Sequence, residues 1–582
     1  MNEKEKDFKK NPRKEEITRR GFIGAGAAGA LGLATIAQSA SAASGKKLRF
    51  DAEYDVVVCG SGAGGLGTAL FSRWQGNSVV VLEKSGSIGG TTAKSGFWYW
   101  IPNNEPMKKA GIQDPKPDFM KLVARLSAPH SYSPSAPKLG LTDWQYDMCE
   151  AYYDTASTAA ELLNARGALP YQHPADVVDY WADLPENKAP KGRALLPAGA
   201  SLHNGGKFGI MSLSNAARRD GISIKTSHRV QSIIRNGRGE VVGVEVTSPE
   251  GETLRFRAKK AVVFATGGFT HDPQLRRDFL CGNIVGGCAA NSNEGDFIRI
   301  SSPLGVQLAN MNYAWNCPVV FEKAVANDGS LWGAFMPSGD SMVFVNKYGN
   351  RVVNEKLQYN EVTRAFWAWD GPRQEYPNEV LIAIWDQQAQ DNCAEEHYGS
   401  YIVPPGSDDR HVIKGATREE LAKNIAARMA VYRDRFNISL APEFVATLND
   451  TIRRFNEFAK TGKDLDFHRG ERPVELMFNG NNKATGKANP TMYPISDTGP
   501  FYATLLGPGN LDTKGGPRTD THGRILDVKG QPIPGLYGVG NCVASASGQA
   551  YWSGGATLGP IVTFAYRAAN ALQKERTKEV TA

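Results

Sequence analysis

The sequence predicts an α/β protein in which a parallel, Rossmann-like sheet is interrupted by an inserted α+β domain. Three observations predict it. An apolar run ends in a glycine-rich turn that opens a helix near residue 60. Strand-like segments with glycine punctuation fall at 54–96, 222–269 and 500–570. Between 290 and 490 the texture changes to more aromatic residues, longer polar loops and helical patterns such as REELAKNIAARMAVYRDRF. The expected boundaries are 50–288 and 491–575 for the two parts of the first domain and 289–490 for the insert. A chain of 582 residues, 41% of them hydrophobic, has ample length for such an arrangement.

Each element has its own reason. Residues 54–59, YDVVVC, form a short apolar run of the kind a buried parallel strand requires. GSGAGGLGTALFSRWQG then turns into a helix, and SVVVLEK, 78–84, is the next strand, completing a β-α-β unit. Val241–Val246 and Thr253–Arg257 read as a hairpin about the SPEGE turn. Lys260–Thr266 reads as a separate buried strand stopped by Gly267-Gly268, and Leu536–Val539 as a last short strand.

The first 45 residues stand apart. A charged start, then Thr18-Arg19-Arg20-Gly21-Phe22, a weakly hydrophobic Gly/Ala stretch and Ala40-Ser41-Ala42 make a twin-arginine signal peptide with a cleavage site. This predicts export of a folded protein to the periplasm. The net charge is +7, and eight of the 67 Lys/Arg and five of the 60 Asp/Glu fall in residues 1–42, leaving an excess of four. That excludes a nucleic-acid protein, since no basic stripe accompanies it. No apolar run is long enough for a spanning helix. The seven cysteines are scattered without C-x-x-C, so no attached haem, metal or iron–sulfur site is expected. A Cys281–Cys288 disulfide is conceivable, but buried free thiols are preferred.

The chemistry starts at Gly60-x-Gly62-x-x-Gly65. Glycines there, with Ala63 at the helix start, let backbone approach a pyrophosphate, and Glu83 at the end of the second strand can accept from ribose hydroxyls. This fits NAD or FAD. The small-residue loop Gly89–Gly96 favours FAD, because Gly90, Thr91, Thr92, Ser95 and Gly96 can lie against an isoalloxazine ring and bond its edge. Ala265, Thr266 and Gly267 end a later strand beside the cofactor. Lys84, Val230 and Asn541 complete this part of the expected FAD-binding set. No His occurs in 84–97, so the FAD is expected to be noncovalent.

Jointly these segments resemble the flavoprotein superfamily of fumarate reductases and 3-ketosteroid Δ1-dehydrogenases. The C-terminal stretch resembles the ketosteroid branch: Pro500-Phe501-Tyr502-Ala503, Asp512-Thr513-Lys514-Gly515-Gly516, Gly540-Asn541 and Tyr551-x-x-Gly554-Gly555-Ala556-Thr557-Leu558-Gly559-Pro560. Gly349-Asn350-Arg351-Val352-Val353-Asn354-Glu355 resembles a strand-like superfamily signature. Four residues beyond it stands Tyr359, as in the ketosteroid enzymes, where fumarate reductases place an arginine. Val178–Pro185 resembles the segment that contributes another active-site tyrosine, with Tyr180 preferred and Trp181 as the competing register.

The resemblance implies that Tyr551 and the Gly555 N–H hold a 3-keto group, that Tyr359, with Tyr180 as relay, removes the C2 proton, and that C1 hydride passes to the flavin. It also implies cofactor contacts from Gly555, Ala556, Thr557 and Leu558. Phe97, Trp98 and Trp552 are expected to wall the pocket. The expected partners are a small apolar cyclic ketone such as a steroid and an electron acceptor of unknown identity. An apolar substrate is also compatible with peripheral membrane contact. An exported flavin enoate reductase acting on a bulky substrate is the alternative function, and a noncatalytic lipid-binding protein on the same fold is a rival of another class. Departures from the pattern are Asp512 for glycine and Trp552 for proline.

Overall fold

The structure is a computed structural model describing residues 48–201, 204–335, 337, 339–395, 400–477 and 486–581. Residues 49–579 form one compact unit. The expected signal segment lies outside the described residues.

The chain opens with β1 (Ala52–Cys59), α1 (Ala63–Trp74) and β2 (Val79–Leu82). β1 and β2 pair in parallel from Val56–Val79 to Cys59–Leu82. Val56–Val58 and Val79–Leu82 are buried, as the continuous apolar run demands of a strand covered on both faces. A long excursion follows, including α2 (Asp143–Ala165), whose start is fixed by a Thr142/Gln145 capping box, and α3 (Gly205–Arg219). The sheet resumes with β3 (Ser223–Lys225), β4 (Arg229–Arg235), β5 (Val241–Thr247) and β6 (Thr253–Phe264). The hairpin arm and the following strand expected separately are here one strand of 12 residues. Its first half pairs antiparallel with β5 and its second half parallel with β1. The expected break fell at Ala258-Lys259, between the two segments. A register shift opposite Tyr54/Val56 absorbs it instead, and Lys260 reaches out to Asn77 at 2.8 Å.

The chain then builds a second sheet from β7 (Gly286–Gly287), β8 (Ala314–Val320), β9 (Met342–Val345), β10 (Leu381–Asp386), β11 (Ile413–Gly415) and β12 (Phe501–Thr513). β12 is its spine and pairs with β7, β8, β10 and β11. Thus the segment around 501–513 joins the strands of the inserted region rather than those of the first sheet. The Gly349–Glu355 signature is a loop, not a strand. It makes one isolated bridge, Val345–Arg351, because Arg351 turns inward to pair with Glu355. The loop leads into α4 (Tyr359–Arg364). α5 (Arg418–Ala430) starts at Thr417, whose side chain accepts from the Glu420 N–H. α6 (Phe444–Thr461) buries Phe444, Leu448, Ile452, Phe455 and Phe458, one apolar stripe at helical spacing.

β13 (Arg524–Leu526) and β14 (Pro532–Gly538) return to the first sheet, whose order is β13-β14-β6-β1-β2-β3. α7 (Leu558–Leu572) closes the fold against α1 and α2. The carboxyl ends of β1, β2, β6 and β14 therefore open onto one cleft, where an open α/β sheet binds ligands.

Candidate active site: a nucleotide cleft joined to an apolar cavity

The cleft at those strand ends spans about 810 Å³ including space open to solvent, lined by Gly60–Gly64, Glu83, Lys84, Gly89–Thr92, Val230, Ala265–Gly267 and Asn541 among others. At the turn that floors it, Gly60 can only be glycine. Gly60 has φ +106°, and a Cβ there would lie 2.3 Å from the Ala265 carbonyl oxygen. A Cβ on Gly65 would lie 1.9 Å from the Gly60 oxygen, so Gly65 packs the turn against the helix rather than lining the cleft. Gly62 offers α1 no side-chain cap; Thr92 Oγ1 accepts from the Ala63 N–H at 3.2 Å, and the helix start still presents its positive dipole end to an anion. Glu83 is buried beside it and accepts from the Ser61 N–H (3.0 Å) and hydroxyl (2.6 Å) and from the Ser85 N–H (2.9 Å). The glycine floor, helix start and buried carboxylate fit FAD. α1 would hold the pyrophosphate and Glu83 the ribose.

A second cavity adjoins the cleft and shares Thr91, Thr92, Asp512, Asn541 and Ile561 with it. It encloses about 1390 Å³ including space open to solvent, and its wall is largely aromatic and aliphatic. Ser95, Gly96, Phe97, Trp98, Gly555, Thr557 and Leu558 line this cavity. Ala556 lies behind the wall, fully buried, its N–H donating to the Ser553 carbonyl at 3.0 Å.

Three tyrosines converge on the cavity. The Tyr180 and Tyr359 hydroxyls are 2.7 Å apart. Tyr359 is also hydrogen-bonded to Tyr551, which bonds Thr557 as well. The ring centroids of Tyr359 and Tyr180 lie 5.2 and 5.6 Å from that of Tyr551. Burial pushes the Tyr359 phenol well above its usual range, and its two tyrosine neighbours push it further. Burial also raises Tyr551, though its bonds from Tyr359 and Thr557 act the other way.

Each tyrosine is placed by local chemistry. Tyr359 starts α4, where the Gln358 side chain accepts from the Asn360 N–H. Behind it Glu355 accepts from Arg351 (2.7 and 2.8 Å) and Arg469 (3.1 Å). Burial alone would raise Glu355, but the two guanidiniums hold it below its usual value. Tyr180 is fixed through Asp179, which accepts from Trp100 Nε1 (2.8 Å), Ser553 (3.1 Å) and Arg193. Arg193 makes a two-pronged bond to Asp114 at 2.7 and 2.9 Å. The register at 178–185 is thereby resolved: Tyr180 enters the cavity, and Trp181 donates to the Tyr551 carbonyl at 3.2 Å.

The Tyr551 loop rests on a residue whose role the sequence left open. Lys514 is fully buried, donates to the carbonyls of Gly548 (3.1 Å) and Ala550, and lies 3.9 Å over the Trp315 ring. Burial pulls its ammonium well below the usual lysine value. Gly555 has φ +89°, and a Cβ there would meet the Trp98–Trp100 backbone within 2.8 Å.

Trp552 is corrected. It does not line the cavity. It is 2% exposed in the main core, stacked on Tyr152 at 6.1 Å, with its Nε1 donating to Ser127 at 2.9 Å. Alternation along the loop sends Tyr551 into the cavity and its neighbour into the core. Asn293 and Asp512 were not foreseen. Asp512 lines both spaces and accepts from five donors: the N–H groups of Gly268 and Thr513, Thr270, Asn293 and Asn541. Of the cysteines, Cys281 is exposed, the other six are buried, and all seven are free.

A glycine-floored dinucleotide cleft that shares its wall with an apolar cavity defines a flavoprotein oxidoreductase. The chain belongs to the FAD binding domain family, whose model matches residues 55–558. It is an FAD-dependent oxidoreductase with 3-oxosteroid dehydrogenases among its relatives. It is 32% identical to 4-oxocyclohexanecarboxylate 2-dehydrogenase of Sinomonas cyclohexanicum, over 89% of this chain and 92% of that one. It is 30% identical to 3-oxosteroid 1-dehydrogenase of Mycolicibacterium smegmatis, over 89% and 96%. Its fold matches 3-ketosteroid Δ1-dehydrogenase from Sterolibacterium denitrificans in complex with 1,4-androstadiene-3,17-dione, with a TM-score of 0.75 and 26% identity over 90% of this chain and 99% of that one.

Proposed function

We propose that the protein introduces a carbon–carbon double bond beside the carbonyl of a cyclic ketone, the 1,2 bond of a 3-ketosteroid being the leading case. The observation that carries this is the convergence of the Tyr180, Tyr359 and Tyr551 hydroxyls on an apolar cavity contiguous with the nucleotide cleft. The relatives that act on 3-oxosteroids and on 4-oxocyclohexanecarboxylate share this ring-ketone chemistry by name and support the reading.

The Tyr551 hydroxyl and the Gly555 N–H donate to the ketone oxygen and stabilise the charge that develops there as the α-carbon loses its proton. Tyr359 receives that proton, and Tyr180, at 2.7 Å, relays it onward. Bound FAD supplies the acceptor for the hydride of the adjacent carbon, and the electron pair leaves to an external acceptor. The ring thus loses one proton and one hydride and gains one double bond. The twin-arginine segment supports a periplasmic location, with the folded, FAD-loaded protein as the exported form.

The test is product identity. Purified holoprotein, a 4-ene-3-ketosteroid and an acceptor dye should give a product two hydrogens lighter, with the new 1,2-ene resolved by NMR. No such product across a panel of steroid and monocyclic ketones would refute desaturation. Oxidation of the chemically reduced protein by an enoate, with no ketone turnover, would favour the reductase instead.

A further inference from the structure

Among its described lining residues the cavity carries one cation. Lys94, at the end of the short helix Gly90–Lys94, lines it together with Phe97, Trp98, Trp332 and Phe335. Among the described lining residues it is the only Lys or Arg. Among the described residues its Nζ has a single long hydrogen bond, 3.4 Å to the Ala289 carbonyl, which His271 Nε2 also meets at 3.0 Å. Asp328 and Cys288 act on it only through space, and burial outweighs them, drawing its pKa below the usual lysine value. Lys84, ten residues earlier, shows the contrast: it is paired with both Glu294 and Asp296. The other charged lining group, Asp512, is already closed by its five donors. A partly buried ammonium in an apolar wall is costly until an anion meets it.

We propose that Lys94 is a specificity-determining residue that pairs with a carboxylate carried by the cyclic ketone substrate, remote from its keto group. This rests on the ketone-desaturation reading above. The apolar wall takes the hydrocarbon ring, the tyrosine cluster takes the ketone, and Lys94 takes the acid. The carboxylate can sit on a single ring or on the side chain of a ketosteroid. The two differ in the span between ketone and acid, so each has its own arm in the test.

The holoprotein is assayed with 4-oxocyclohexanecarboxylate and its methyl ester, and with a 3-ketosteroid bearing a side-chain carboxylate and its methyl ester. In one pair or the other, kcat/KM for the acid should exceed that for the ester by about tenfold or more, the scale of a charge-assisted bond. The preferred pair identifies the source. Lys94→Met should collapse that ratio through KM, and Lys94→Arg should restore most of it. Bound FAD and its visible spectrum report whether Lys94 acts on the cofactor instead. Ketone turnover with no acid preference in either pair, a ratio unchanged in Lys94→Met, or loss of FAD from that variant would overturn the proposal while leaving desaturation standing. Absence of turnover with every ketone would sink the desaturation reading itself.

Discussion

At the scale of the residue, Tyr359 combines two opposed requirements. A base must lose its proton, yet burial and two neighbouring phenols favour its protonated form. As the proposed base, Tyr359 would therefore be deprotonated only at high pH in the free protein. kcat/KM for a neutral ketone should rise with pH, about tenfold per unit, through neutrality and up to at least pH 10. A plateau reached by pH 7 in a pH–rate profile would assign the base to another group. Gly555 is constrained just as tightly. With φ +89° and the Trp98 carbonyl carbon 2.7 Å from any added Cβ, Gly555→Ala should cost on the order of 1–3 kcal/mol and lower turnover. Gly554→Ala, whose Cβ would meet the Tyr180 oxygen at an ordinary 3.4 Å, should be milder in both thermal melts and assays.

At the scale of the element, the strap carrying Tyr180 is held by a buried ionic knot. Burial opposes the Arg193 charge, but Asp179 and Asp114 more than offset it and raise the guanidinium above its usual value. Arg193→Met would leave two carboxylates buried without their cation. It should lower stability by about 3–5 kcal/mol, read as a lower urea midpoint with little change in slope. This knot also marks the limit of what the sequence made legible. β1, the turn and α1 are local, so their glycines and Glu83 could be read from spacing alone. The sites of Tyr359 and Tyr551 followed from motif frames on either side of them. Arg193, Asp114 and Asn293 could not be read, because their partners lie on segments far apart in the chain. Trp552 was misplaced because the alternation that turns it from the cavity belongs to an irregular loop with no strand or helix pattern in the sequence to reveal it. The break expected in β6 failed because a bulge carries Lys259 and Lys260 through the strand unpaired, and the ladder resumes at Ala261.

At the scale of the whole molecule, two sheets meet where β12 ends. Asp512, at its carboxyl end, bonds the loop after β6 through Gly268 and Thr270, and Asn541 after β14. The nucleotide cleft and the apolar cavity thus share one wall, which would bring cofactor and the proposed substrate side by side. The N-terminal Arg19-Arg20 pair makes a claim about where this machine works. Lys at both positions should retain the protein, folded and yellow, in the cytoplasm, whereas the natural sequence should place it in the periplasmic fraction on cell fractionation. Equal periplasmic recovery of both would remove the twin-arginine reading.

The central claim is that the tyrosine cluster lets a cyclic ketone reduce the bound flavin. Anaerobic stopped-flow mixing of holoprotein with a ketone substrate should bleach the flavin absorbance in the natural protein. In Tyr359→Phe, with FAD still bound, the bleaching rate should fall by about 10²–10⁴-fold, the range for removing a positioned base. Bleaching by Tyr359→Phe at the natural rate would contradict the account.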